Sequence, residues 1–145
     1  MPAPSQSTKT SYQVLFDFIL RAKQQWIAVA EHNGLSLIQL HAIGLLMTRG
    51  AMPMVQLSTL LSCDASYVTG IVDRLEEQGT VERRENPHDR RVKMIALTDK
   101  AEVLQKNVQE LMAVVQERLF SRLTEAEQAE FYRLLLKMSA DDSST

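Results

Sequence analysis

The chain has 145 residues, 45% apolar and 23% charged, a balance that suits one globular domain with a proper core and excludes disordered, collagen-like and disulfide-scaffold chains. Its 16 Lys and Arg against 18 Asp and Glu leave a formal charge of −2, so binding to nucleic acid would have to rest on a local patch. Cys63 is the only cysteine, which forbids an intrachain disulfide and fits a reducing cytoplasm; a polar start and the lack of an apolar run of about 18 residues argue against export and against a membrane partner.

From about Ser11, apolar residues recur at Leu15, Phe18, Ile19, Ala22, Trp26 and Val29, one stripe on a long helix that ends near Asn33-Gly34. A second helix follows at once. Ser36 and Gln39 form a capping box, with Leu35 and Leu40 at the positions of a hydrophobic staple, and Leu40, Ile43 and Met47 continue its buried side to Gly50. Pro53 suits the first turn of a short third helix whose Val55, Leu57, Leu60 and Leu61 point inward. Asp64 is a possible cap for the next helix, in which Val68, Ile71, Val72 and Leu75 repeat at i, i+3, i+4, i+7 until Gly79 stops it. Two short helices joined by a tight turn are a helix-turn-helix candidate.

After Gly79 the period changes from 3.6 to 2. Val81 to Arg84 and Val92 to Leu97 read as two strands of a hairpin with a long polar tip, Glu85 to Arg90. Thr98 and Asp99 then cap a long helix carrying Leu104, Val108, Leu111, Val115 and Leu119. Thr124 with Glu127 makes another capping box ahead of Phe131, Leu134, Leu135 and Met138.

Positive charge concentrates on the hairpin. Between Arg83 and Lys93 there are five basic residues and two acidic ones, a local +3. A basic tip beside a helix pair whose second helix exposes small hydroxyl residues is a plausible DNA footprint, with the helix in the major groove and arginine at the minor groove or phosphates. The plainer alternative is a solvated loop and a surface charge cluster.

The residues Leu35 to Gln39, Leu57 to Ser62, Ser66 to Gly79, Asp89-Arg90-Arg91 and Leu97-Thr98, in this order and spacing, resemble the MarR (multiple antibiotic resistance regulator) winged-helix transcription factors over about residues 10 to 138. The resemblance implies a mainly α fold of about six helices with a two- or three-stranded β-wing. It also implies a homodimer built from helices in 10–34 and 98–138, a DNA-binding lobe over 35–97, and flexible tails at 1–9 and 140–145. The partner would be a pseudo-palindromic DNA duplex, the chain more often a repressor than an activator. Ser66, Tyr67, Thr69, Gly70 and Arg74 fall on the recognition helix. Asp89 and Arg91 match the wing pair in which the acid holds the arginine, with His88 and Arg90 as further tip candidates. Asp73 would be repelled by phosphate and reads as an ion-pair partner, with Arg74 as its possible companion.

The same resemblance implies a small-molecule site for phenolic or aromatic effectors, for which Trp26, His41, Leu45 and Met47 are the candidates, although such residues are commonly plain core. Cys63 offers another sensing mode, since thiols near helix N-termini are favoured as thiolates, against the simpler reading of a small residue filling a turn. The three histidines lack paired metal-ligand spacing and no nucleophile elbow or phosphate-binding loop is present, so neither catalysis nor a cofactor is expected. The competing class is a winged-helix module that binds another protein.

Overall fold

The computed structural model describes residues 9–140; the expected tails lie almost wholly outside this range. The chain divides after Met112 into two compact units. The first holds α1 (Ser11–His32), α2 (Leu37–Arg49), β1 (Met52–Pro53), α3 (Met54–Leu61), α4 (Ala65–Glu77), β2 (Val81–Glu85), β3 (Lys93–Leu97), a 3-10 turn (Asp99–Ala101) and the start of α5 (Glu102–Phe120). The second holds the end of α5 and α6 (Glu125–Ser139).

Local chemistry sets most of these ends. Capping boxes open α1 (Thr10 with Gln13), α2 (Ser36 with Gln39) and α6 (Thr124 with Glu127), each satisfying two helix-end donors. The first of these escapes a reading that looks only for the start of the apolar stripe. The carboxylate of Glu127 accepts from the Thr124 backbone N–H and hydroxyl, which holds its pKa below the ordinary value. Gly79 closes α4 with φ +74°, a left-handed conformation that glycine adopts without a Cβ penalty. There its N–H donates to Glu76 O at 2.9 Å and that of Thr80 to Leu75 O at 2.9 Å.

Three expectations change. Met52–Pro53 is a short strand, with Pro53 at the N-cap of α3 rather than in its first turn. Val55 is 75% exposed, because the short α3 turns only Leu57 and Ser58 fully inward. Thr98 makes no side-chain cap; its hydroxyl donates to the Gly79 carbonyl and so ties the end of β3 to the turn after α4.

The sheet has the order β1-β3-β2 and is antiparallel throughout. Register pairs Met52 with Ile95 on one side of β3, and Arg83 with Ile95 on the other. Ile43, Leu57, Val68, Val72, Leu75, Val81 and Ile95 are all fully buried, so one core joins α2, the helix pair and the root of the hairpin. In the second unit, Phe120 and Phe131 pack with ring centroids 5.7 Å apart. Among the described residues no helix is long and apolar enough to cross a membrane.

Candidate nucleic-acid interface

The apolar period of α4 decides which residues can meet a partner. Val68, Ile71, Val72 and Leu75 are buried, which leaves Ser66, Tyr67, Thr69, Gly70 and Arg74 exposed on the other faces. Asp64 occupies the N-cap position of α4 without a side-chain cap bond. The Thr69 hydroxyl donates to Ala65 O at 2.8 Å, so what it presents outward is acceptor capacity, suited to an exocyclic amine in a major groove. Arg74 shares a shallow groove with Ser36, Gln39, Ser66, Tyr67 and Gly70. Among the described residues it makes no ion pair.

Asp73 pairs with Arg83 of β2 rather than with Arg74. Nη2 of Arg83 lies 2.6 Å from Asp73 Oδ1, and the other arm of the guanidinium meets Glu76. The helix geometry explains the difference, because consecutive residues diverge by about 100° around the axis while positions three apart share a face. Burial works against the charge of Arg83, but the hydrogen bonds and fields of Asp73 and Glu76 outweigh it and raise its pKa. Arg83 thereby ties the middle of β2 to α4.

This pairing also redistributes the basic patch. Arg84 faces Glu82, and Lys93 lies 3.7 Å from Glu85. The charge with freedom to reach outward therefore sits at the tip. There Asn86 Oδ1 accepts from the His88 N–H at 2.9 Å and Asp89 Oδ1 from the Arg91 N–H at 3.0 Å, two side-chain turns that give the loop a fixed shape. Arg91 Nε is 3.6 Å from the same Asp89 oxygen, yet its side chain is 94% exposed. Asp89 thus fixes the backbone at Arg91 and sets a carboxylate beside its guanidinium. His88 and Arg90 flank it, also exposed.

A separate cavity of about 480 Å³ opens in the first unit, lined by ten residues that include Trp26, His41 and Leu45. Met47 is not on its wall. Two residues beyond Leu45, it points about 200° around α2, and a methionine of α5, Met112, lines the cavity instead. Trp26 and His41 meet edge to face with centroids 6.1 Å apart. Desolvation holds the His41 pKa below 6.5. Folding therefore favours the neutral imidazole, and its contribution to stability is full above pH 6.5 and falls as the pH drops from there through the depressed folded value. Urea denaturation at about pH 8 and about pH 5.5 should show a lower stability in acid, and His41→Gln should flatten that difference.

Cys63 is half-buried at the turn between α3 and α4 and its thiol donates to Leu61 O at 3.2 Å. Its neighbour Ser62 takes a left-handed φ of 52° to end α3. Among the described residues no three His, Cys, Asp or Glu side chains are grouped to hold a metal ion.

The family model for MarR matches residues 35–93. The chain is 31% identical over 104 residues to YwoH of Bacillus subtilis, described as an uncharacterized HTH-type transcriptional regulator, covering 72% of this chain and 75% of that one. It is 27% identical over 129 residues to the HTH-type transcriptional repressor MdtR of the same organism, with 89% and 81% covered. Among solved structures, Bordetella bronchiseptica BpsR, whose DNA binding is regulated by 6-hydroxynicotinic acid, matches with a TM-score of 0.77 at 22% identity over 97% of this chain and 100% of that one. A cysteine-to-serine variant of MarR from E. coli, complexed with operator DNA, matches with a TM-score of 0.74 at 22% identity, with 88% and 92% covered. With a winged helix-turn-helix fold and relatives that are transcriptional regulators, this chain belongs to the MarR family of DNA-binding transcriptional regulators.

Proposed function

We propose that the protein is a repressor that binds a pseudo-palindromic operator as a homodimer and is released by a small effector. The observation that carries this reading is the rigid pairing of an exposed recognition helix with an ordered basic wing tip, joined through Arg83. In it, α4 enters the major groove with Ser66, Tyr67, Thr69, Gly70 and Arg74. Arg91, steadied by Asp89, reaches into the adjacent minor groove, and His88 and Arg90 meet the backbone. The operator complex of E. coli MarR and the repressor name of MdtR support the reading.

The homodimer is supported by apolar surface on the terminal helices. On α1, Tyr12, Val14, Phe16, Ile19 and Leu20 are exposed; on α6, Tyr132, Leu134, Leu135, Leu136 and Met138 are exposed and no residue is buried. Faces of this kind mark an association surface. The effector reading rests on the cavity at Trp26, His41 and Leu45 and on the ligand regulation of BpsR.

Gly70 has open space where a Cβ would stand, with nothing within 4 Å. Gly70→Ala should therefore stabilise α4 by about 1 kcal/mol, while the added methyl obstructs close approach to DNA. A higher melting temperature together with weaker operator binding is the expected pair of results, read by calorimetry and by fluorescence anisotropy.

The test of the whole proposal is selection of the purified protein against a random duplex pool, followed by anisotropy titrations on the winners at several salt concentrations. A two-fold symmetric site with steep salt dependence is expected, since phosphate contacts release counterions. A folded protein that enriches no sequence would instead favour the protein-binding module.

A further inference from the structure

The capping box of α2 leaves one polar group over. The Ser36 backbone N–H donates to Gln39 Oε1 at 2.9 Å, and the Gln39 backbone N–H donates to Ser36 Oγ at 3.3 Å. Because the Ser36 N–H needs an acceptor, the Gln39 amide is held with its NH2 turned away from the cap. Among the described residues that Nε2 has no hydrogen-bond partner, although Gln39 is only 7% exposed. No fully buried side-chain nitrogen or oxygen among the described residues lacks a partner, so Nε2 keeps an opening. The opening is the shallow groove of about 250 Å³ that Gln39 lines together with Ser36, Ser66, Tyr67, Gly70 and Arg74.

The groups around this groove favour an anion. Gln39 Nε2 offers donors only, and the exposed Ser36 hydroxyl, which accepts from Gln39, keeps its own hydrogen to give. Arg74 adds a guanidinium without an ion pair among the described residues, and no Asp or Glu lines the groove. The positive end of the α2 dipole lies at the same place. One wall is α4 itself, through Ser66, Tyr67, Gly70 and Arg74, all exposed. A duplex that receives α4 in its major groove therefore brings a sugar-phosphate strand to this opening, and Gly70 sets no side chain in its way. We infer that the groove holds one backbone phosphate of each operator half-site, with Gln39 Nε2 and Ser36 Oγ donating from α2 and Arg74 from α4. The inference rests on α4 being the DNA-reading helix and adds the start of α2 to the interface.

Gln39→Glu separates the cap from the phosphate. Glutamate fills the same box in α6 through Glu127, so the variant keeps the cap while exchanging the donor NH2 for a carboxylate oxygen. Ser36→Asp likewise keeps an N-cap residue and sets a carboxylate at the edge of the groove. Each full-length variant is titrated by anisotropy against the selected operator, and against copies in which one phosphate at a time, in both half-sites, is replaced by a neutral methylphosphonate. Both variants should retain their helix content by circular dichroism and bind the operator at least about tenfold more weakly, since a like charge faces the phosphate. At one phosphate in each half-site the methylphosphonate should weaken the parent and reduce the penalty of Gln39→Glu to below about threefold, the coupling expected of two groups in contact. Arg74→Gln, which leaves the cap untouched, should weaken binding to the operator and lose most of its effect at that same phosphate.

A penalty for Gln39→Glu below about tenfold, or one that no single methylphosphonate brings below about threefold, overturns the phosphate site. If the parent still selects a two-fold symmetric operator, α4 remains the reading helix in that case. Should Gln39→Glu lose helix content, Ser36→Asp and Arg74→Gln decide by the same criterion. A parent that enriches no duplex overturns the reading of α4 and the inference together.

Discussion

Arg91→Ala is expected to lower specific operator affinity by more than tenfold while leaving thermal stability unchanged. In the free protein the side chain is 94% exposed and its one ion pair, to Asp89 at 3.6 Å, is long and solvated, so its removal costs the fold almost nothing. In the proposed complex the same guanidinium enters a narrow minor groove, where a good contact contributes about 1 to 3 kcal/mol. A dimer makes that contact twice, once for each wing. The loss should also reduce the salt slope by about one for each lost phosphate or groove contact. Asp89→Ala should follow in the same direction with a smaller effect, because Arg91 keeps its charge but loses the carboxylate that accepts from its backbone N–H and lies 3.6 Å from its guanidinium. Anisotropy titrations on a selected operator decide the matter, and unchanged binding by Arg91→Ala would remove the wing from the proposed interface.

Ile95→Ala is expected to be the most damaging to the fold, at about 3 kcal/mol within the usual 2 to 5 for emptying a buried aliphatic site. Ile95 is 0% exposed at the middle of the central strand β3, across from Met52 and Arg83. Strand β3 also packs on α2 and α3. A cavity there has walls from several elements, none of which can close without shifting another. The loss compares with a total stability of about 5 to 15 kcal/mol for ordinary domains, so urea denaturation should show a midpoint far below that of the parent. Val55→Ala is the contrast. Although Val55 belongs to the same apolar class, its 75% exposure predicts a change within about 0.5 kcal/mol.

The sequence predicts the long helices because periodicity and caps act together on each of them. Ser36 with Gln39 and Thr124 with Glu127 make the boxes their spacing suggests, and Gly79 ends α4 as its conformational freedom allows. Those elements give a helix-turn-helix candidate and a hairpin; the winged fold class as a whole is what the family resemblance implies. Strand β1 had no such signal. Two residues, Met52 and Pro53, carry no period, and their strand identity comes entirely from the pairing with Ile95 and Met94.

In the candidate site, linear spacing shows which residues share α4 but not which partner crosses it. Arg83 lies ten residues from Asp73 and seven from Glu76, a separation that only the turn at Gly79 brings to contact. A charge count over Arg83 to Lys93 therefore overstates the reach of the patch, since Arg83, Arg84 and Lys93 face carboxylates along the strands and on α4 rather than outward at the tip. Met47 and Met112 make the same point for the cavity. Both are flexible apolar residues on helices, and only the tertiary arrangement selects Met112.

The short strand β1 has a consequence for how the protein behaves at high concentration. With the order β1-β3-β2, both β1 and β2 are edges, and an open edge invites strand addition by another molecule. Pro53 has no N–H to offer a newcomer, and two residues make too short a template to extend. On the opposite side β2 carries the run Glu82-Arg83-Arg84-Glu85, whose charges make it a poor surface for an apolar strand to join. A sheet that must stay exposed to approach DNA is thereby kept from seeding aggregation, so replacing Pro53 by a β-branched residue would affect solubility rather than recognition.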